Sequence, residues 1–174
     1  DGWNLSLRQY LSLIPPLTPP DGDPVTFDRT VLVDRTLPLE QACPKFGVSL
    51  LYHHIEFANR SKRALPVYYW IWCHNGIGRL GISPRDCTDT FEANELGLNV
   101  MEGLAHHVQY PIVARTRFVD LPGSALVGRP SVIACIGPWD EERPGTVFIH
   151  CIDESEHHQK CGGASRVLAV PSAA

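Results

Sequence analysis

Residues 66–73, with the sequence PVYYWIWC, constrain the fold more strongly than any other segment of the chain. β-Branched and aromatic side chains fit a pleated, half-buried surface, so this run predicts a strand around which a sheet is built. The Asn-Gly pair at 75–76 follows at once. Both residue types tolerate positive φ, so we expect a tight hairpin with a return strand over 77–82. Ser83 and Pro84 then suit the N-cap and first position of a helix.

The remaining elements are grouped by type rather than strictly alternating, which favours one α+β domain with a mostly antiparallel sheet packed by a few short helices. Helices are expected over 4–14, 37–43, 84–96 and 100–109, and further strands over 30–34, 48–57, 131–136 and 146–152, the last two as the arms of a hairpin. The organisation expected is an N-terminal helix and proline-rich arm over 1–26, the α+β domain over 27–166 and a tail over 167–174.

Bulk composition excludes some classes of protein. The chain has 174 residues, of which 44% are hydrophobic and 20% charged, as in an ordinary globular domain. A net charge of −4 argues against a nucleic-acid surface, which needs a basic excess. No apolar run reaches the roughly 18 residues that span a bilayer. We therefore expect a soluble protein without nucleic-acid partners or a membrane span.

The six cysteines leave both disulfides and free thiols open. A chain of this length can build a core without disulfides, and several cysteines lie in strand-like runs, so reduced thiols and a cytoplasmic location are favoured. Secretion stays open, because residues upstream of Asp1 are not part of this sequence. Cys73 beside His74 suggests a nucleophile and its base, but neighbouring strand residues point to opposite faces, which favours a buried Cys73.

The segment 150–161 (HCIDESEHHQKC) concentrates side chains that bind zinc. The candidate ligands are His150, Cys151, His157, His158 and Cys161. The segment has no C-x-x-C pair, and His150 and Cys151 point to opposite faces of a strand. A solvated polar loop is therefore the favoured interpretation, with zinc as the alternative to no cofactor.

Other polar and aromatic side chains are candidates for ligand binding. Trp70 and Trp72 share one face of the predicted strand with Tyr68, and such a ladder is more often core than the wall of a cleft. Residues 120–124 (DLPGS) read as a tight type II turn that exposes Asp120 and Ser124. His74 and Trp139, the latter in the acidic loop 137–145, complete the set. Asn99 and Glu102 have the spacing of a capping box at the start of the helix over 100–109. On that helix, Glu102 and His106 are expected to pair at the surface.

Several motifs occur in a characteristic order: WIWCHNG at 70–76, Ser-Pro-x-Asp at 83–86, MEGLA at 101–105, DLPGS at 120–124 and GGASR at 162–166. Over residues 30–166 the chain resembles an uncharacterised bacterial domain family of unknown function. The resemblance implies a bacterial, soluble protein and no assigned activity.

Because no complete catalytic constellation is present, the sequence favours a non-enzymatic binding or interaction module. Its partner would be a protein or a small molecule, held by the 120–124 turn, the 75–81 hairpin and the loop of Trp139. The alternative is a zinc-dependent or cysteine-based enzyme that uses the segment 150–161.

Overall fold

The computed structural model describes residues 6–17, 27–51, 55–61, 64–138 and 145–168. Five α-helices occur in this part of the chain: α1 (Leu7–Leu13), α2 (Leu39–Lys45), α3 (Pro84–Asp89), α4 (Val100–Gln109) and α5 (Pro111–Thr116). The ten strands in the same residues are β1 (Arg29–Asp34), β2 (Val48–Leu50), β3 (Phe57–Asn59), β4 (Tyr68–His74), β5 (Leu96–Gly97), β6 (Phe118–Leu126), β7 (Arg129–Pro138), β8 (Val147–Asp153), β9 (Cys161–Gly163) and β10 (Ser165–Leu168). The predicted α+β class is confirmed.

The strands form two sheets rather than the single sheet expected. Sheet 1 is antiparallel, with the order β1-β4-β10-β5. Sheet 2 has the order β2-β8-β7-β6-β3, and β9 also pairs with β6. It is mixed, because the β2–β8 and β6–β9 pairs are parallel. The inner faces of both sheets meet α2, α4 and α5 in one hydrophobic core.

The apolar run at 66–73 forms β4, as predicted. Tyr69, Ile71 and Cys73 are buried in the core. The alternate side chains, including Trp70 and Trp72, lie half-buried on the other face. The expectation that the tryptophan face is the core is therefore wrong, since the neighbouring face fills that role.

The Asn-Gly pair does not form a hairpin. Asn75 Oδ1 accepts from the N–H of Ile77 (3.0 Å), and a 3₁₀ helix over Ile77–Arg79 replaces the return strand. Gly76 has a φ of 81°, and a Cβ there would overlap the carbonyl oxygen of Gly162. The glycine is thus required by a close contact with a distant segment, and β4 pairs with β1 and β10 instead.

The helix starts were predicted better than the helix ends. Ser83 caps α3, and Asn99 with Glu102 forms a capping box at the start of α4. α3 ends at Asp89 rather than near residue 96, and the hydroxyl of Thr90 donates to Cys87 O (2.7 Å) just beyond it. α5, which begins at Pro111, was not predicted.

Two other expectations about strands have opposite outcomes. The predicted hairpin of 131–136 with 146–152 is confirmed, since β7 and β8 pair antiparallel. The strand expected over 48–57 is instead two short strands, β2 and β3, in sheet 2.

Among the described helices, none has the length and apolar character needed to cross a membrane.

The DLPGS segment is not a turn but lies inside β6. Its pairing with β7 shifts register between Leu121 and Ala125, as at a β-bulge. The shift turns the backbone of Gly123 toward other partners: its N–H donates to Leu98 O (2.9 Å), and its carbonyl accepts from the N–H of Arg60 (2.9 Å). Asp120 and Ser124 are consequently buried.

The polar face expected on α4 is also buried. His106 and His107 are almost completely inaccessible, and Glu102 is fully buried. Glu102 faces Arg166 and Tyr69 instead of His106. The surface pairing is therefore wrong, because α4 packs between the two sheets rather than on one of them.

Candidate functional site

A large groove with apolar walls runs along the edge of β1, between α1, α2 and α4. Its volume is about 670 Å³. Apolar side chains form most of the wall: Leu32, Leu37, Phe46, Trp70, Leu104 and Val108. Polar side chains that reach the groove include Tyr10, Asp34, Lys45 and Gln109. Concave apolar surfaces of this size with a few polar groups are typical of small-molecule sites.

A side chain of α4 covers part of the backbone edge of β1 at the groove. Leu32 N–H donates to Gln109 Oε1 (3.2 Å), and Gln109 Nε2 donates back to Leu32 O (2.9 Å). The amide thus satisfies edge groups that would otherwise be free to pair with another strand. This arrangement favours an apolar occupant held by side chains over an added peptide strand.

α1 borders the groove without being part of the core. The helix has no buried residue, and Leu7 is 73% and Leu11 55% exposed. The leucines of this helix are therefore not part of the core. Contacts hold this segment in place: the Tyr10 ring packs edge-on to Tyr68 at 5.6 Å, and Trp70 Nε1 donates to Pro15 O (2.9 Å). Burial of so little apolar area makes α1 the part of this region that opens most easily.

A carboxylate orders the polar end of the groove. Asp34 Oδ1 accepts from the N–H (2.9 Å) and the hydroxyl (2.6 Å) of Thr36, and Asp34 Oδ2 accepts weakly from Tyr10 (3.4 Å). Burial raises the pKa of Tyr10, and the negative charge of Asp34 raises it further. The phenol is therefore a neutral donor that ties α1 to β1.

The other two predicted ligand-binding residues of β4 lie away from this groove. Trp72 and His74 are half-buried farther along the same face of the strand. His74 Nδ1 accepts from the N–H of Gly76 (3.0 Å), and burial lowers its pKa, with Arg79 lowering it further. A neutral His74 thus supports the local turn. Of the three β4 candidates, Trp70 alone is brought to the groove wall.

Ser124 and Asp120 have internal positions in sheet 2. Ser124 Oγ accepts from the N–H of Val100 (2.8 Å), which helps to cap α4. Asp120 lies directly across from Cys135 in the β6–β7 register. Burial raises the pKa of Asp120 to about 6, opposed in part by the Cys135 thiol and by the charges of His158 and Arg117. Neither carboxylate oxygen has a well-aligned hydrogen-bond partner among the described residues.

The five predicted zinc ligands are dispersed. His150 faces Cys135 across the β7–β8 pair, whereas Cys151 pairs with Ala134 and points to the opposite face. His157 and His158 are exposed, and His158 Nε2 lies 3.1 Å from Glu156 Oε2. Cys161 is buried beside Cys135, where the two thiols interact. Within the described residues, no three His, Cys, Asp or Glu side chains are placed to hold a metal ion.

The thiols are free, and five of them are poorly ionised because their pKa is raised. All six cysteines are unpaired by disulfides. Burial raises the pKa of Cys43 and of Cys73 to about 12, and it also raises the pKa of Cys87, Cys135 and Cys151. A nucleophilic cysteine needs a lowered thiol pKa. Cys73 is buried, as the sequence favoured.

A buried polar network that sequence reasoning missed joins sheet 1 to α4. Arg166 Nε lies 2.6 Å from Glu102 Oε1, and the same oxygen accepts from the hydroxyl of Tyr69 (2.9 Å). Glu102 Oε2 accepts from the N–H of Asn99 (2.8 Å) as part of the capping box. The contact with Arg166 is an ion pair by distance, although its N–H is poorly aligned with the oxygen. The capping-box pattern located Glu102 but gave no sign of its distant partner.

Trp139, the last of the predicted ligand-binding residues, lies outside the described residues. A comparison of the chain with protein-family models, with curated proteins and with solved structures found no match. The resemblance to a bacterial domain family therefore stays a prediction, and the site must be interpreted from its own geometry.

Proposed function

We propose that this domain is a non-enzymatic binding module that takes a small apolar molecule into the groove between α1, α2 and α4. The observation that carries the proposal is a space of about 670 Å³ with predominantly apolar walls. Pockets of roughly 300–1,000 Å³ with a few polar groups commonly bury most of a small ligand. Trp70, whose indole N–H is already bonded to Pro15, offers its apolar surface to the ligand.

A small apolar molecule fits this region better than the composite surface expected from the sequence. That surface required Asp120 and Ser124 to be exposed, and both are buried in sheet 2. The groove, by contrast, is bordered by partly exposed apolar side chains such as Leu7, Phe46 and Val108. Removing such surface from water stabilises a complex by about 25 cal/mol per Å² before the costs of ordering.

Binding can be measured with N-phenyl-1-naphthylamine, a neutral apolar dye that fluoresces when shielded from water. At about 0.3 kcal/mol per non-hydrogen atom, a probe of roughly 17 such atoms gains about 5 kcal/mol, a Kd on the order of 100 µM. Ala105 is half-buried on α4 and lines the groove. In the Ala105→Phe variant the larger ring occupies the space, so we expect the affinity to fall by about tenfold or more.

A matched control is Ala58→Phe, which makes the same change at an exposed position of β3. This variant should bind the dye as the wild type does, and circular dichroism should show that both variants are folded. Equal dye binding by Ala105→Phe and wild type would refute the groove as the site. Equal loss in both variants would also refute it, because the effect would then not depend on the groove.

The alternative function, a zinc-dependent or cysteine-based enzyme, rests on the sequence of 150–161. The dispersal of the five ligands and the raised pKa of Cys151 give it no support. Elemental analysis of the purified protein tests the metal version, since bound structural or catalytic zinc should approach one ion per chain, whereas less than about 0.1 would end it.

A further inference from the structure

We propose that a second site, where α4 and α5 meet the ends of β1 and β4, binds an oxyanion group. The site consists of Arg29, Arg117 and His106. Each directs a buried side-chain nitrogen (Nη1 in the two arginines, Nε2 in the histidine) that has no hydrogen-bond partner among the described residues. Buried donors are paired in most proteins, so three such nitrogens on side chains that influence one another electrostatically indicate a missing acceptor.

The three side chains are gathered by Tyr110 and by the end of β4. The guanidinium of Arg29 lies over the Tyr110 ring, 5.1 Å from its centroid, and the His106 ring lies 5.3 Å from the same ring. Arg29 is directly across from Cys73 in the β1–β4 register. Arg117 Nη2 donates to the carbonyl of Asn75, two residues beyond Cys73 (2.7 Å). Sheet 1, α4 and the C-terminal end of α5 therefore position the cluster.

The electrostatics of the cluster show the same deficit of negative charge. Burial lowers the pKa of Arg117, and the charge of Arg29 lowers it further. Burial, together with the positive charges of Arg29 and Arg117, lowers the pKa of His106 to about 3. This imidazole is therefore neutral at pH 7. Two like charges held together away from water are destabilising unless an anion lies between them.

Neighbouring carboxylates do not pair with the unsatisfied nitrogens. Asp28 Oδ1 lies 3.6 Å from Arg29 Nε, at the outer side of the guanidinium, and its side chain is exposed. Asp120 acts on Arg117 through its charge, but neither residue bonds the other in the structure. Both Nη1 atoms are thus buried without an acceptor among the described residues.

The chemistry of the cluster selects an oxyanion. The planar fork of arginine matches the geometry of sulfate, phosphate and carboxylate oxygens, which it binds through two parallel hydrogen bonds. A neutral imidazole can add one N–H donor. The Arg29 side chain is 23% exposed, so one edge of the cluster is in contact with solvent. The site is separate from the groove, whose occupant we propose to be apolar and uncharged.

Sulfate is the probe of choice, because its charge does not change near neutral pH. We expect the arginine Nε–Hε signals of Arg29 and Arg117 to shift in a ¹⁵N NMR titration at constant ionic strength, with a Kd on the order of 1 mM. Acetate titrated in parallel distinguishes a tetrahedral dianion from a carboxylate group as the preferred ligand. In Arg29→Gln, sulfate affinity should fall by about tenfold or more, because a charge-assisted hydrogen bond is lost.

The matched control is Arg129→Gln, which removes the same charge from an exposed position of β7. We expect this variant to bind sulfate within about twofold of the wild type. No saturable binding of either anion by the wild type below about 50 mM would overturn the proposal, as would equal losses in Arg29→Gln and Arg129→Gln. Ala105→Phe should bind sulfate normally, so a failure of the groove proposal leaves this test intact. Arg29 is partly exposed, so its replacement leaves a folded protein in which binding can be measured.

Discussion

Glu102→Gln should destabilise the fold by about 3–5 kcal/mol, because it leaves Arg166 as a buried charge without its partner. The side chains of Arg166 and Glu102 are only 1% and 0% exposed, so water cannot take over the lost interaction. The one oxygen of glutamine can still accept from the N–H of Asn99, and its amide NH₂ can donate to the hydroxyl of Tyr69, so the change removes the charge and keeps the cap. The loss is large beside the roughly 5–15 kcal/mol that stabilise a typical domain.

Urea denaturation of wild type, Glu102→Gln, Arg166→Met and the double variant measures the interaction. Since the double variant buries neither charge, we expect its loss to be smaller than the sum of the two single losses by about 2–3 kcal/mol. Glu92→Gln, at an exposed position, serves as the control and should change stability by less than about 0.5 kcal/mol. If the two single losses sum to the loss of the double variant within about 0.5 kcal/mol, Glu102 and Arg166 do not interact and the reasoning is refuted.

Three further predictions concern sheet 2 and the thiols. In Gly123→Ala the new Cβ would overlap Gly97 O, so we expect the free energy of unfolding to fall by about 3 kcal/mol or more. Gly128 has open space around it but a φ of 79°, so Gly128→Ala should cost about 1 kcal/mol. Equal losses in urea denaturation would contradict this. Because burial raises the pKa of Asp120 to about 6, its stabilising contribution is complete below the unfolded value near 4 and is lost as the pH rises through 6. Stability measured from pH 4 to pH 7 should therefore fall by about 2 kcal/mol in wild type relative to Asp120→Asn, and parallel pH profiles would show that the carboxyl is not responsible. Ellman's reagent should modify the half-buried Cys151 of the native protein first, and it should modify no thiol faster than a free cysteine. Faster modification of any thiol would reveal an activated cysteine and contradict this prediction.

Local patterns in the sequence predicted local structure. The aromatic run gave β4, the capping residues Ser83 and Asn99 gave the starts of α3 and α4, and the apolar runs around the acidic loop gave the β7–β8 pair. Each of these depends on neighbours within a few residues, or on a pattern that one face of a strand must show.

The errors arose where a residue serves a distant contact. Gly76 and Gly123 both resemble turn glycines, but each is required because another backbone segment approaches it too closely for a Cβ. Glu102 and His106 have the spacing of a surface pair, yet α4 lies between two sheets, and the partner of Glu102 is 64 positions away at Arg166. No local pattern distinguishes these cases.

The candidate groove was only partly accessible to sequence reasoning. Trp70 was identified as a candidate because alternation puts it on a defined face of β4, although core was favoured over cleft for that face. The facing walls come from α1, α2 and α4, which are far apart in the chain. The oxyanion cluster was not predicted at all, since Arg29, His106 and Arg117 share no motif and meet only in the folded protein.

The position of β10 has a consequence for the synthesis of this protein. β4 is paired on one side with β1, but its other partner is β10, whose residues follow it by roughly 90 positions. At translation rates of about 5–20 residues per second, that edge of β4 waits on the order of 5–20 s for its neighbour. During this interval a strand rich in tyrosine and tryptophan presents unpaired backbone groups to solvent or to other nascent chains. We therefore expect the yield of folded protein to depend on chaperones and growth temperature more than its final stability would suggest.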